Sequence, residues 1–270
     1  ERAGQTLAQL VGMLTLGTAL PHGIRLVGED WSWQSSILIS SILAVVAAAM
    51  ICFLGDGPHL KRHPGKSGMR LGHVLSAFTI PQFRASALGY FGHMWEVYAF
   101  WTIVPALIVV SGLTQPNTPE QSGISFLVVG IGTISCILGG RLSQHFGSAR
   151  IAAIALTGSV ICCTLFPLLP VDQPGWLLAF LLFWGATVVA DSPQFSALSA
   201  KAAPVDIVGS ALALQNAIGF TIGMVSIQLG TALVSSVGMY IAWLLLPGPL
   251  LALWVLAPLW RKPFTPKASQ

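Results

Sequence analysis

The sequence predicts an all-α polytopic membrane protein with eight transmembrane helices, and three observations carry that prediction. Hydrophobic residues fill 54% of the 270 positions and charged residues only 8%, whereas a soluble domain carries about 25% charged side chains. The few charges sit between long uncharged runs, each long enough to cross a bilayer. Threaded across a membrane, those runs leave almost every Lys and Arg on one side. The 28 Gly and 17 Pro follow no strict period and there are only four Cys, so collagen-like, low-complexity and disulfide-scaffold classes are excluded. A net charge of +4 in so apolar a chain fits a membrane-anchoring surface, and no nucleic-acid partner is expected.

A span needs roughly 20 mostly apolar residues. Ala3 to Ile24 and Trp31 to Gly55 carry no Asp, Glu, Lys or Arg and give the first two. Ala85 to Pro119, broken only by Glu96, is the third; Gln121 to Gly140 and Ile151 to Val171 are the fourth and fifth. Gln173 to Ala200 holds only Asp191 and is the sixth. Ile207 to Trp260 runs 54 residues without a charge, enough for a seventh and an eighth with a turn near Ser235 to Gly238. With both ends of an eight-span chain on the cytoplasmic side, twelve of thirteen Lys and Arg lie inside and only Arg25 outside. His22 and Arg25 then end the first span at the outer surface, where Trp31 and Trp33 begin the next as an interfacial belt.

Most connections are short. The exception, 56–84, is rich in Gly, Pro, His and basic residues and reads as a cytoplasmic linker, with two spans before it (1–55), six after it (85–260) and a cytoplasmic tail at 261–270. Gly12 and Gly17 in the first span, and Gly219, Gly223 and Gly230 in the seventh, offer notches where helix backbones can approach closely. Pro105, Pro167, Pro193, Pro247 and Pro249 interrupt or end helices. Cys52, Cys136, Cys162 and Cys163 lie in apolar runs and read as small buried hydrophobes.

A carboxylate at membrane depth is costly unless paired, protonated or hydrated, and is a functional candidate for that reason. Glu96 and Asp191 are the two in this chain. Counted from Arg84 and Lys201, each lies roughly 15–18 Å deep at 1.5 Å per residue, so the two share a level. His93, three residues before Glu96, shares its helix face, with Gly89 and Phe100 extending the stripe. An imidazole there can pass a proton or hold the carboxylate ionised; a purely structural His–Glu pair has the same spacing. Asp191, Ser192, Pro193 and Gln194 put a carboxylate, a hydroxyl and an amide around a helix break, where unwound backbone can meet a ligand or a neighbouring helix can neutralise the Asp. Gln215 and Asn216 can bond a solute or another helix. Tyr90, Trp95, Tyr98 and Trp101 crowd the third span as packing or cavity aromatics. His93-x-x-Glu96 is half of a metal-site spacing, but no span carries a second such cluster, and neither a Gly-x-Ser-x-Gly elbow nor a phosphate-cradling Gly loop is present. No enzyme activity, cofactor or metal is expected.

The connection after the fourth span, Gly139-Gly-Arg-Leu-Ser-Gln-His-Phe-Gly-Ser-Ala-Arg150, resembles the cytoplasmic loop signature of the major facilitator superfamily, Gly-x-Leu-x-Asp-Arg-x-Gly followed by basic residues. Gly140, Leu142, Gly147 and Arg150 match; Gln144 and His145 stand where the family often has Asp and Arg, which removes the carboxylate that would pair with a neighbouring helix. The third span around Gly89 to Tyr98 and the sixth around Ala190 to Ala197 look like the seventh and tenth helices of bacterial members. The resemblance implies that the eight spans are helices five to twelve of twelve: the last two helices of an N-terminal bundle plus a complete six-helix C-terminal bundle, with the first four helices of the same chain missing. It further implies a secondary active transporter of a small polar or anionic solute in a cell membrane, a bacterial inner membrane by this likeness. Its partners would be the lipid bilayer, the solute and a coupling proton taken up at Glu96; a membrane-embedded enzyme, a channel or a receptor is the alternative. A nitrate/nitrite porter-like branch is similar in the two polar spans, yet a nitrate site is expected to place Arg in the membrane, and Ile124 to Gly139 holds none.

Overall fold

In a bilayer every backbone N–H and C=O must find its partner within the chain, which an α-helix does by itself. The computed structural model describes residues 2–28, 31–54 and 71–261, and among them there is helix and no strand. Two long helices, α1 (Arg2–Val27) and α2 (Trp33–Leu54), come first. A short α3 (Leu71–Leu75) and a 3₁₀ turn (Ser76–Thr79) lead into α4 (Pro81–Val110). Then follow α5 (Pro119–Phe146), α6 (Ser148–Leu165), α7 (Pro174–Ala190), α8 (Ser192–Ala202), α9 (Val208–Val237), α10 (Ile241–Leu245) and α11 (Pro247–Trp260). Seven helical stretches are long and apolar enough to cross a membrane, the last being Val208–Trp260.

That last stretch runs out and back. A 3₁₀ turn at Gly238–Tyr240, opened by Gly238 at φ 59°, ends α9 and packs on Phe166–Leu168. The chain then returns through α10 and α11 to Trp260, whose carbonyl accepts a hydrogen bond from the Arg150 guanidinium at the opposite end of the bundle. The described helices therefore run along the bundle eight times, within seven apolar stretches. Prolines start helices where an N–H would be unused: Pro81, Pro119, Pro174, Pro193 and Pro247 all lie in first turns. The Thr118 hydroxyl caps α5 by accepting from the Gln121 N–H at 3.2 Å.

The third span begins at Pro81 rather than Ala85, so Arg84 and the last residues of the expected 56–84 linker belong to helix. The physical reason is the Pro itself, which preorganises a first turn that composition assigned to a loop. The linker's basic run from Lys61 to Arg70, and the tail beyond Arg261, lie outside the described residues.

One apolar core joins α4 to α11, with Phe100, Leu107, Leu156, Leu177, Trp184, Leu245 and Leu256 among its fully buried members. α4 is its centre, packed against α9, α11 and α8. Backbones meet closely at Gly92 and Gly248, where a Cβ on either would run into the other's carbonyl oxygen, and at Gly185, where a Cβ would run into the Val128 carbonyl. α1 lies along α5 through Ala8 on Gly140, Gly12 on the Thr133 carbonyl, and Gly23 on Phe126. Gly219, Gly223 and Gly230 are notches against Tyr90, Met94, Tyr98 and Ile103, as expected; Gly17 is not one, because nothing stands within 4 Å of where its Cβ would be. α2 buries no residue and touches α1.

Candidate functional site

Buried polar side chains are spread over α1, α4, α5, α6, α8 and α9, and His93, Glu96 and Asp191 among them meet at α4. His93 and Glu96, three residues apart, project from one side of that helix, and both are at most 2% exposed. Across from them, α7 ends at Ala190 and α8 begins at Ser192, with Asp191 between, itself 1% exposed. The His93 Nδ1 and Asp191 Oδ1 are 2.9 Å apart. The approach is off the line of a hydrogen bond, so each group keeps an unused hydrogen-bonding capacity.

Glu96 is held differently. Its Oε1 accepts a hydrogen bond from the indole Nε1 of Trp184 at 2.8 Å, and the Cys163 thiol donates to the same oxygen at 3.6 Å. The Ser159 hydroxyl faces the carboxyl as well. These donors come from α6 and α7, so one α4 side chain ties three helices together. Trp184 is fully buried and fixed by Phe100 and Phe166, with ring centroids 4.6 and 5.6 Å away. No Lys or Arg side chain is buried among the described residues.

Of the other sequence-predicted residues, Tyr90 is buried against Gly219 with its ring 6.0 Å from that of His93. Trp95 points the other way, its Nε1 donating to the Leu244 carbonyl at 2.9 Å, which makes it a packing contact between α4 and the last crossing. Gln194 is buried near Gly139. Gln215 is buried with its amide oxygen unpartnered, whereas Asn216 beside it is exposed. At the helix break the backbone is not unwound: the N–H groups of both Gln194 and Phe195 bond the Asp191 carbonyl, at 2.9 and 3.0 Å. Pro193 needs no hydrogen-bond partner in the first turn of α8, so the interruption costs one residue rather than a loop.

Sequence reasoning missed Trp184, Ser159 and Cys163. Trp184 lies seven residues before Asp191, two turns along the same face, a spacing that was readable; the partners on α6 carried no such signal. The cysteines are free, three of them buried and Cys52 exposed, so for Cys163 the reading as a small hydrophobe omits a polar contact.

In the connection between α5 and α6, Gly147 adopts φ 86°, where glycine is favoured, and ends α5. Gly140 lies under Ala8, Leu142 is exposed, and Arg150 reaches Trp260. Gln144, at the position of the absent carboxylate, donates from its Nε2 to the Gln5 Oε1 at 3.2 Å. A neutral amide pair thus links this loop to α1. The sequence model described as Major Facilitator Superfamily matches residues 2–227. The chain belongs to the major facilitator superfamily. No curated protein matches it. As a major facilitator chain it is a multi-pass membrane protein of a secondary-transporter family, and its seven apolar stretches and the loop geometry at Gly140 and Gly147 accord with that.

Proposed function

We propose that this chain carries the proton-binding part of a secondary transporter that moves a small polar or anionic solute by alternating access, with Glu96 as the coupling group. The observation behind it is the buried cluster itself. Two carboxyl groups and an imidazole at one depth, without a buried Lys or Arg among the described residues, are expensive in hydrocarbon unless proton number can change. Protonating Glu96 lowers the charge of that cluster and alters what the α6 and α7 donors hold, so the occupancy of one site bears on the packing of three helices.

On this reading α1 and α2 are the last two helices of a first bundle, and α4 to α11 form the complete second bundle. In support, the main core is built from α4 to α11, and α1 adds only Ala19 and Val11. Both ends lie on the cytoplasmic side of a bacterial inner membrane, as the Lys and Arg distribution favours. The solute would pass on the side of α4 and α9 where Asn216, Phe220 and Thr221 are exposed.

The full chain, purified and reconstituted in liposomes, tests this. Small polar and anionic solutes are screened for accumulation under an inward proton gradient while an entrapped dye follows internal pH. Glu96→Gln should abolish gradient-driven accumulation yet spare solute exchange at equal pH. Undiminished accumulation in that variant removes the coupling role.

A further inference from the structure

A buried acid cluster needs a path to bulk water. The bundle has a polar seam between α4 and α8 leading from its Arg84 and Lys201 end. At the first rung the Ser199 hydroxyl donates to the Ser86 Oγ at 2.9 Å, and Ser86 donates to the Phe83 carbonyl at 2.9 Å. Both serines are fully buried, though Ser86 lies only two residues past exposed Arg84. The last rung is His93 opposite Asp191. On α4 the rungs are seven residues apart, about 10 Å along the axis; on α8 they are Ser199 and Asp191, with Phe195 midway.

Phe195 fills the gap. Its ring is fully buried, lies on the bare backbone of Gly89, and has its centroid 6.0 Å from that of His93. We propose that the α4–α8 seam is the route by which protons from the Arg84 and Lys201 face reach the His93–Asp191–Glu96 cluster, and that the Phe195 ring is its closed gate. The route rests on the reading of that cluster as proton-binding. When the ring swings off Gly89, water joins the serine hydroxyls, which can donate and accept in turn, to Asp191. A hydronium ion on the open face gives up one O–H bond, one forms on the Asp191 carboxylate, and the reverse steps release the proton. The groups facing the cluster are Tyr90 on α4, Cys136 on α5, Ser159, Cys162 and Cys163 on α6, and Trp184 on α7.

The test is the rate at which the buried carboxyl groups titrate after a pH jump on the reconstituted full chain, followed by the infrared carboxyl band and assigned by its loss in Glu96→Gln and Asp191→Asn. Phe195→Ala should speed this about tenfold by removing the ring contacts that hold the gate shut, while Phe195→Leu stays near the native rate. Leu107→Ala, which thins the α4 core eleven residues beyond Glu96, should leave the rate unchanged. An unchanged rate in Phe195→Ala, or equal acceleration in Leu107→Ala, overturns the route. Should Phe195→Ala not fold, the double variant Ser86→Val and Ser199→Val decides: slowing supports the seam and a native rate overturns it. No solute is present in this measurement, so its outcome is separate from that of the uptake assay. A gated seam can stand even if Glu96 proves not to couple transport, and coupling through Glu96 can stand even if protons arrive another way.

Discussion

Trp184 shows how much one buried donor can decide. An indole N–H only donates, so it serves the Glu96 carboxyl oxygen in either protonation state and holds that side chain toward α7. A hydrogen bond to a charged group contributes about 1.5–3 kcal/mol in water-soluble proteins, but polar contacts between membrane helices average nearer 0.6. Trp184→Phe is therefore expected to cost about 1–2 kcal/mol, read as a lower melting temperature in detergent. The loss should shrink when Glu96→Gln is already present, because the indole then meets a neutral amide in place of a group that can carry charge. Equal losses in both backgrounds would show that Trp184 acts through packing on Phe100 and Phe166 alone.

Among the elements, α4 owes its place to glycine. At Gly92 and Gly248 the two backbones approach so closely that a methyl group on either meets the other's carbonyl. Lipid offers no hydrophobic reason for helices to associate, so close approach has to supply the contact energy. Gly92→Ala is expected to destabilise by about 1–3 kcal/mol by forcing α4 and α11 apart. Gly17→Ala, with open space around it on α1, should be neutral or stabilising by up to about 1 kcal/mol through helix propensity. Thermal unfolding of the two variants side by side separates packing from propensity, and similar shifts would remove the assignment of Gly92 as a contact point.

Across the whole molecule, α1 is joined to α5 and the α4–α5 connection by a small-residue seam and by two polar links, Arg25 to Asn117 and Gln5 to Gln144, the second an amide pair. An exposed amide pair does not depend on charge. Gln5→Arg combined with Gln144→Asp puts an ion pair in its place, with an expected coupling of about 0.2–1 kcal/mol in a double-mutant thermal cycle. The coupling should fade at high salt. A cycle that closes at zero at low salt would show that the loop does not hold α1.

Composition alone determined that this is a helical membrane protein, because a bilayer penalises charge and unpaired backbone so heavily that span lengths and loop charges are written openly in the chain. Glu96, His93 and Asp191 were legible for the same reason: a charge in an apolar run has no inexpensive explanation. Tertiary structure alone decided which way each polar group faces. Helical spacing put His93 beside Glu96, but packing paired His93 with Asp191, gave Glu96 to Trp184, Ser159 and Cys163, and turned Trp95 toward Leu244. The Gly92–Gly248 contact and the Phe195 ring over Gly89 join residues far apart in the chain. Period and composition describe one helix at a time, whereas a contact between helices depends on rotation and crossing of both.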